Sequence, residues 1–283
     1  MPIERRFSLS YLTLECSPVE TVEYASTAGY QFAGIRMMPA MKGGKAFPLF
    51  AQPTLLSETI TRSRDTGVDI LDVEIARIDG HNTLDDWLPM LEAAGHLGAR
   101  SVIAAGDDPD RTRMTDTFAA LCEAAAPFGL SVNLEFTPWT VLCDARMATE
   151  IVMGSGASNA QVLIDTIHVA RSTTTFADLA AIPATRMSYL QICDAPPGIP
   201  ASRQEMLFTA RQERLLPGEG AVAIEEQIAA LPADLIVSVE IPSHVRIAQY
   251  GPAEWARRTL DASRAAIESY DARRGGASRR LHA

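Results

Sequence analysis

Four oxygen-bearing side chains in the second half of the sequence each end a short apolar run. Glu135 ends SVNLE, Asp165 ends QVLID, Gln191 ends MSYLQ and Glu240 ends LIVSVE. Three carboxylates that meet in a pocket of low dielectric repel one another unless a cation lies among them. Carboxylate and amide oxygens suit Mg²⁺ or Mn²⁺, and also Co²⁺, better than zinc. The pattern predicts one divalent metal ion, although each acid alone could instead cap a helix or form a salt bridge.

Two further polar residues follow these runs closely. His168 comes one helical turn after Asp165, where its imidazole could contact a substrate or a neighbouring carboxylate, or could be a satisfied structural residue. Asp194 comes three residues after Gln191, where it could orient His168 or a metal ligand, or only cap its own loop. The spacing leaves both alternatives open.

A long polar segment, residues 196–220, separates the last two of these runs. It contains Arg203, Arg211 and Arg214 ahead of the turn Pro217-Gly218-Glu219-Gly220. Such a segment could cover a pocket as a lid and bring a cation to an oxyanion or carboxylate. The alternative is a solvated surface loop, which fits Arg203 better than Arg214.

The elements that must position these residues alternate along the whole chain. Short β-branched or Leu-rich runs alternate with longer amphipathic segments, which is the pattern of repeated βα units around a parallel sheet. Helix starts carry capping signals, such as Ser17-Pro18-Val19-Glu20. The eight predicted strands are Phe7–Leu12, Phe32–Arg36, Asp69–Glu74, Ser101–Ala104, Ser131–Glu135, Gln161–Asp165, Met187–Gln191 and Leu235–Glu240.

Eight units of about 34 residues account for residues 1–270, which predicts a single (β/α)₈ barrel of the α/β class. An open doubly wound sheet is the alternative, but no Gly-rich phosphate loop follows the first strand. Residues 271–283 are predicted to be a basic, flexible tail. Because the chemistry of such barrels lies at the carboxyl ends of the strands, Glu74, Asp107 and Asp108 are candidates in the first half.

Composition narrows the classes of partner. The chain has 283 residues, is 47% hydrophobic and carries a formal net charge of −10, which disfavours nucleic acid as a partner. Its four cysteines are far apart, and we find no long apolar run or leader sequence, so we expect a cytoplasmic protein without a membrane partner. The oligomeric state stays open, with a homodimer or a homotetramer as alternatives.

The sequence resembles the xylose isomerase-like TIM-barrel superfamily, the sugar phosphate isomerase/epimerase group. The resemblance rests on Glu135, Asp165-x-x-His168, Gln191-x-x-Asp194-x-Pro196, Arg214-x-x-Pro217-Gly218-Glu219-Gly220 and Glu240. It implies that Glu135, Asp165, Gln191 and Glu240 bind one divalent metal ion. It also implies that His168 and Arg214 contact a small-molecule substrate.

Within that superfamily, ketose 3-epimerases usually have His where this chain has Gln191. A Gln followed by Asp-x-Pro is similar to hydroxypyruvate isomerases and to bacterial 3-dehydroshikimate dehydratases. The dehydratases also resemble this chain in an Arg shortly after the third strand, here Arg77. Endonuclease IV-type barrels need a His-rich trinuclear zinc site. This chain has only five histidines and a net charge of −10, so a DNA repair role is poorly supported.

Three hypotheses follow. The first is a metal-dependent isomerase or epimerase that abstracts a proton α to a metal-bound carbonyl, with Glu135 and Glu240 as base and acid. The second is a dehydratase of a cyclic keto-acid such as 3-dehydroshikimate, or of an inosose, in which His168 or a Glu removes the α proton. The third is a non-catalytic or nuclease barrel. Glu74, Arg36 and Trp139 are further candidates to line the pocket.

Overall fold

Eight parallel strands close into a barrel in the computed structural model, which describes residues 5–280. Each strand pairs with its sequence neighbours, and β1 pairs with β8 through Phe7 and Val237. The predicted single (β/α)₈ barrel is therefore confirmed. The strands are β1 Phe7–Leu9, β2 Phe32–Arg36, β3 Asp69–Ile78, β4 Ser101–Gly106, β5 Ser131–Glu135, β6 Ala160–Asp165, β7 Tyr189–Ile192 and β8 Ile236–Val239.

Helices connect the strands and cover the outside of the barrel. The first begins at a capping box in which Ser17 and Glu20 satisfy each other's backbone N–H groups, and it ends at Gly29 with φ 95°. The helices are α1 Pro18–Ala28, α2 Pro53–Thr66, α3 Leu84–Leu97, α4 Arg111–Ala125, α5 Ala145–Gly154, α6 Thr166–Ala170, α7 Phe176–Ala181, α8 Arg203–Gln212, α9 Ile224–Ala229, α10 His244–Tyr250 and α11 Pro252–Arg280.

The bounds of six strands differ from the sequence prediction, most at the ends of β1 and β3. β3 continues to Ile78, so Arg77 lies within this strand rather than after it, because a register shift after Glu74 keeps the chain paired with β4. β1 stops at Leu9, and Tyr11–Thr13 forms a 3₁₀ turn. The hydroxyl of Thr13 in that turn donates to Val239 O at 2.8 Å.

Two apolar clusters fix the position of the site. The larger lies between the strands and the helices and includes Val22, Trp87 and Phe118. The smaller fills the barrel and contains Phe32, Leu71, Ile75, Ile103, Ala105, Leu163, Tyr189 and Ile236. These side chains fill the interior of the barrel, and the sites of such barrels lie above it, at the carboxyl ends of the strands.

The final helix crosses the predicted boundary of the tail. α11 runs without interruption from Pro252 to Arg280, so most of residues 271–283 belong to its end, and residues 281–283 lie outside the described part. Arg273 forms an ion pair with Glu225 near the start of α9. Between residues 5 and 280, no helix combines the length and the apolar character needed to cross a bilayer.

Candidate active site

A cavity of about 220 Å³ opens at the carboxyl ends of the strands. Seven of the eight residues predicted to act in catalysis, metal binding or substrate binding line it, and the eighth, Asp165, contacts two of them. The seven are Glu74, Arg77, Glu135, His168, Gln191, Arg214 and Glu240. The barrel therefore brings together groups separated by up to 166 positions in the chain, because all parallel strands end at the same rim.

Each of the four proposed metal ligands lies at or next to a strand end. Glu135 and Asp165 are the last residues of β5 and β6, and Gln191 is the next-to-last residue of β7. Asp165 and Gln191 are direct partners in the β6–β7 register. Glu240 follows β8 immediately, and its backbone N–H donates to Ile192 O at 3.2 Å.

Glu135, Asp165 and His168 form the tightest group. His168 Nε2 lies 3.5 Å from Glu135 Oε1 and 3.5 Å from Asp165 Oδ2. Ligand atoms of the three residues all lie within 4.8 Å of one another. The Trp139 ring meets the His168 ring edge-on, with centroids 5.0 Å apart. Of the two alternatives for His168, the structure favours membership of this site over a separate structural role.

Arg214 bridges two of the acids. Its Nη1 donates to Asp165 Oδ2 at 2.7 Å, its Nη2 lies 2.7 Å from Glu240 Oε2, and only 2% of its side chain is exposed. Burial opposes ionisation of Asp165, but Arg214 and His168 together lower the pKa of this carboxyl below its ordinary value. One guanidinium thus compensates two buried carboxylates.

Glu240 is surrounded by hydrogen-bond donors and by other carboxylates. Its Oε1 accepts from Gln191 Nε2 at 3.0 Å and from Ser10 Oγ at 2.8 Å. Burial raises the pKa of Glu240 well above its ordinary value; Arg214 counteracts this, whereas Asp165 and other nearby carboxylates add to it. The two carboxylates that share Arg214 therefore have pKa values shifted in opposite directions.

The first half of the barrel contributes a further ion pair, between Arg36 and Glu74. Glu74 at 2% exposure accepts from Arg36 Nε at 2.9 Å, and its Oε1 has no partner among residues 5–280. Arg77 donates to Ala40 O at 3.2 Å and lies 3.6 Å from Asp107. Both predicted substrate-binding residues of this half thus face the cavity, each already held by a neighbour.

Asp194 and Asp108 do not join the site. Asp194 accepts from the backbone N–H groups of Gly218 and Gly220 at 3.0 Å, and of Val222 at 2.9 Å. A Cβ at Gly220 would lie 2.3 Å from Asp194 Oδ1, so this turn needs glycine. Asp194 therefore caps its own loop and does not orient His168. Asp108 is fully buried against Arg113, whose Nε donates to it at 2.6 Å.

The segment 196–220 is ordered as a helix followed by the Asp194-bound turn. Helix α8 brings Arg211 to the rim of the cavity and leaves Arg203 exposed. Arg211 is a site residue that the sequence did not single out, since nothing in the residue types separated it from Arg203. Its position three residues before Arg214 in the sequence is the signal that could have found it.

Residues 22–266 match the family model described as a xylose isomerase-like TIM barrel. The chain belongs to the xylose isomerase-like TIM barrel family. No curated protein matches its sequence at a significant level. Membership confirms the resemblance that the strand-end residues indicated.

Solved structures share this fold at low identity. One is the IolI protein with a bound zinc atom: TM-score 0.80, 17% identity, covering 94% of this chain and 99% of that one. A xylose isomerase domain protein from Alicyclobacillus acidocaldarius has TM-score 0.73 and 18% identity, with the same coverage of 94% and 99%. D-psicose 3-epimerase with D-tagatose, from Clostridium cellulolyticum H10, has TM-score 0.68 and 14% identity, covering 93% and 99%.

The residues of this xylose isomerase-like barrel fit a divalent cation. The carbonyl oxygen of Gln191, Oε1, is buried without a partner among the described residues, although its amide nitrogen is satisfied by Glu240. A buried unpartnered oxygen is costly and is relieved by a cation. The ion would be held by Glu135, Asp165, Gln191 and Glu240. His168, which forms the tight group with Glu135 and Asp165, offers a nitrogen ligand as an alternative.

Asp72 is a buried acid of this barrel that the sequence analysis did not consider. It is 1% exposed, neither oxygen has a partner among the described residues, and a Cβ at Gly34 would lie 2.8 Å from its Oδ1. Burial raises the pKa of Asp72 well above the ordinary 3.8, and Glu74 and Glu135 raise it further. The folded chain therefore holds this proton more tightly than the unfolded chain.

We expect Asp72→Asn to flatten the dependence of stability on pH. A group whose pKa is raised by folding destabilises the fold as pH rises above its unfolded value. The variant should gain at least about 1 kcal/mol relative to the wild type between about pH 5 and about pH 8. Chemical denaturation across that range measures it, with the exposed Asp116→Asn as control. A pH dependence identical in Asp72→Asn and wild type would contradict this assignment.

Proposed function

We propose that this chain is a divalent-metal-dependent isomerase or epimerase of a small sugar-like or hydroxy-carbonyl substrate. The observation that carries the proposal is that Glu135, His168, Gln191 and Glu240 line one small cavity, with Asp165 in contact with His168 beside it. The family supports an isomerase or epimerase in general, and the solved relatives include an enzyme described as D-psicose 3-epimerase. The reaction would be proton abstraction α to a carbonyl, through an enediolate.

A divalent cation bound among these oxygens would supply Lewis-acid polarisation of the substrate carbonyl. The side chains of the protein would do the rest. Glu135 and Glu240 approach the cavity from β5 and β8, so one carboxylate could remove the α proton and the other return it. Arg214 holds Asp165 and Glu240 in place, and Trp139 lines the cavity against His168.

The preferred ion in this proposal is Mn²⁺ or Mg²⁺, with Co²⁺ as a further candidate, because the ligand set is mostly oxygen. The zinc of the IolI structure belongs to that protein, but His168 beside Glu135 and Asp165 gives zinc a nitrogen ligand here as well. Elemental analysis of the purified protein decides among these ions.

A dehydratase of a cyclic keto-acid or an inosose is the second candidate. The observation that favours it is the presence of Gln191, Arg77 and Arg211 at the same cavity. In this reaction His168 or a glutamate would remove the α proton, and an acid would protonate the leaving β-hydroxyl. A conjugated, ultraviolet-absorbing product from keto-acids or inososes would select this candidate.

Exchange of the α proton tests the proposal directly. Metal-loaded wild type should incorporate deuterium from solvent into at least one member of a panel of ketoses and hydroxy-ketones, and Glu135→Gln should lower the rate at least about a hundredfold. Glu92→Gln, an exposed glutamate of α3, is the matched control and should exchange at the wild-type rate. Undiminished exchange in both Glu135→Gln and Glu240→Gln would contradict the mechanism.

A further inference from the structure

Charge is distributed unevenly around the cavity. The carboxylates proposed to bind metal lie at the ends of β5, β6 and β8, whereas most cationic side chains lie on the first-half strands and loops and on helix α8. The lining has one more cationic than anionic side chain, although the whole chain carries −10. The cationic residues are Arg36, Lys45, Arg77, Arg211 and Arg214, and the anionic residues are Glu15, Glu74, Glu135 and Glu240.

Four of these five cations already have an oxygen partner in the protein. Arg36 is paired with Glu74, and Arg214 with Asp165 and Glu240. Arg77 lies 3.6 Å from a carboxylate oxygen of Asp107 and donates to a backbone carbonyl, and Lys45 also donates to a backbone carbonyl. Their charges are therefore at least partly balanced within the fold.

Arg211 differs from them. Within residues 5–280 it has no carboxylate within 4.0 Å, and its one hydrogen bond goes from Nη1 to the thioether sulfur of Met41 at 3.4 Å. Its guanidinium lies 6.0 Å from the centroid of the Trp139 ring. The same ring also contacts His168. Burial lowers the pKa of Arg211, and repulsion from Arg36 and Arg77 lowers it further.

A half-buried guanidinium without a counter-ion, beside other cations, favours an anion that brings several acceptor oxygens. The cavity of about 220 Å³ is smaller than the roughly 300–1,000 Å³ of pockets for drug-sized molecules. A small anion that reaches Arg211 would therefore also lie close to the acidic residues of the same cavity.

We propose that the substrate carries an anionic group, a carboxylate or a phosphate, that Arg211 binds with Arg77 beside it. The uncharged hydroxy-carbonyl end then faces Glu135, His168 and Glu240. This inference rests on the proposed function for the reaction at that end, but it concerns recognition, which is measurable without turnover. Arg211 thus determines specificity for charged over neutral substrates.

Calorimetric titration with three five-carbon probes tests the inference. Ribose is neutral, ribonate adds a carboxylate, and ribose 5-phosphate adds a phosphate. We expect at least one of the two anions to bind wild type at least about tenfold more tightly than ribose, and the gain to weaken with salt. The tighter of the two anions identifies the anionic group.

Arg211→Gln should abolish that gain, and Arg211→Lys should keep part of it because the charge remains without the planar fork. Arg203→Gln removes the same charge from the exposed start of α8 and should bind like wild type. Thermal denaturation of each variant confirms that it folds. The inference is wrong if neither anion binds wild type more tightly than ribose, or if Arg211→Gln keeps the full gain.

The two proposals fail in different ways. Anion binding that depends on Arg211, without α-proton exchange by any substrate, would overturn the proposed reaction and support the recognition site. Exchange of an uncharged sugar at a rate unaffected by Arg211→Gln, with no preference for either anion, would support the reaction and overturn the recognition site.

Discussion

Asp165→Asn should lower turnover at least about a hundredfold and weaken divalent-metal binding, while the barrel stays folded. Asparagine has the same shape and can still accept the Ile167 N–H that caps α6, which Asp165 Oδ1 accepts at 3.1 Å. What the substitution removes is the negative charge, on which Arg214 and the proposed cation both depend. Loss of a charged oxygen ligand is expected to cost at least as much as loss of a group that merely orients one.

Metal affinity gives this prediction a readout besides activity. Calorimetric titration with Mn²⁺ should show weaker binding to Asp165→Asn than to wild type, and Asp116→Asn, an exposed aspartate of α4, should bind like wild type. Turnover that falls while Mn²⁺ affinity is unchanged would assign Asp165 to positioning Arg214 and His168 instead. Unchanged turnover and affinity would remove Asp165 from the site.

Arg214→Met should lower the free energy of unfolding by about 3–5 kcal/mol. The substitution keeps an apolar stem of similar length but leaves Asp165 and Glu240 buried without their shared cation. Removing one partner of a buried ion pair costs more than the pair is worth, because the remaining charge keeps its desolvation penalty. Urea denaturation at neutral pH measures the loss.

The surface offers a matched control for that variant. Arg257 also contacts two carboxylates, Glu254 and Asp261, but on the exposed face of α11, and Arg257→Met should cost far less because water screens the pair. Saturating Mn²⁺ should restore part of the stability of Arg214→Met, since a cation among the same carboxylates replaces the lost charge. Equal losses in the two variants would contradict the bridging role of Arg214.

Local pattern was sufficient to predict most of the architecture. The alternation of short apolar runs with longer amphipathic segments predicted the eight strands. β2 and β5 match their predicted bounds residue for residue. The errors lie where pairing with a neighbour decides where a strand ends. β3 continues past Glu74 because β4 offers partners up to Gly106, and such a partner is invisible in the run of residues itself.

By itself, the sequence determined the barrel and the acids at its rim, because strand period, capping residues and strand-end position are local properties. Only the tertiary structure decided which charges compensate one another. Arg214 bridges Asp165 and Glu240, Asp194 turns to its own loop, and Arg211 is left without a carboxylate. Ion pairing depends on distances of a few ångströms between distant segments, and closure of the barrel sets those distances.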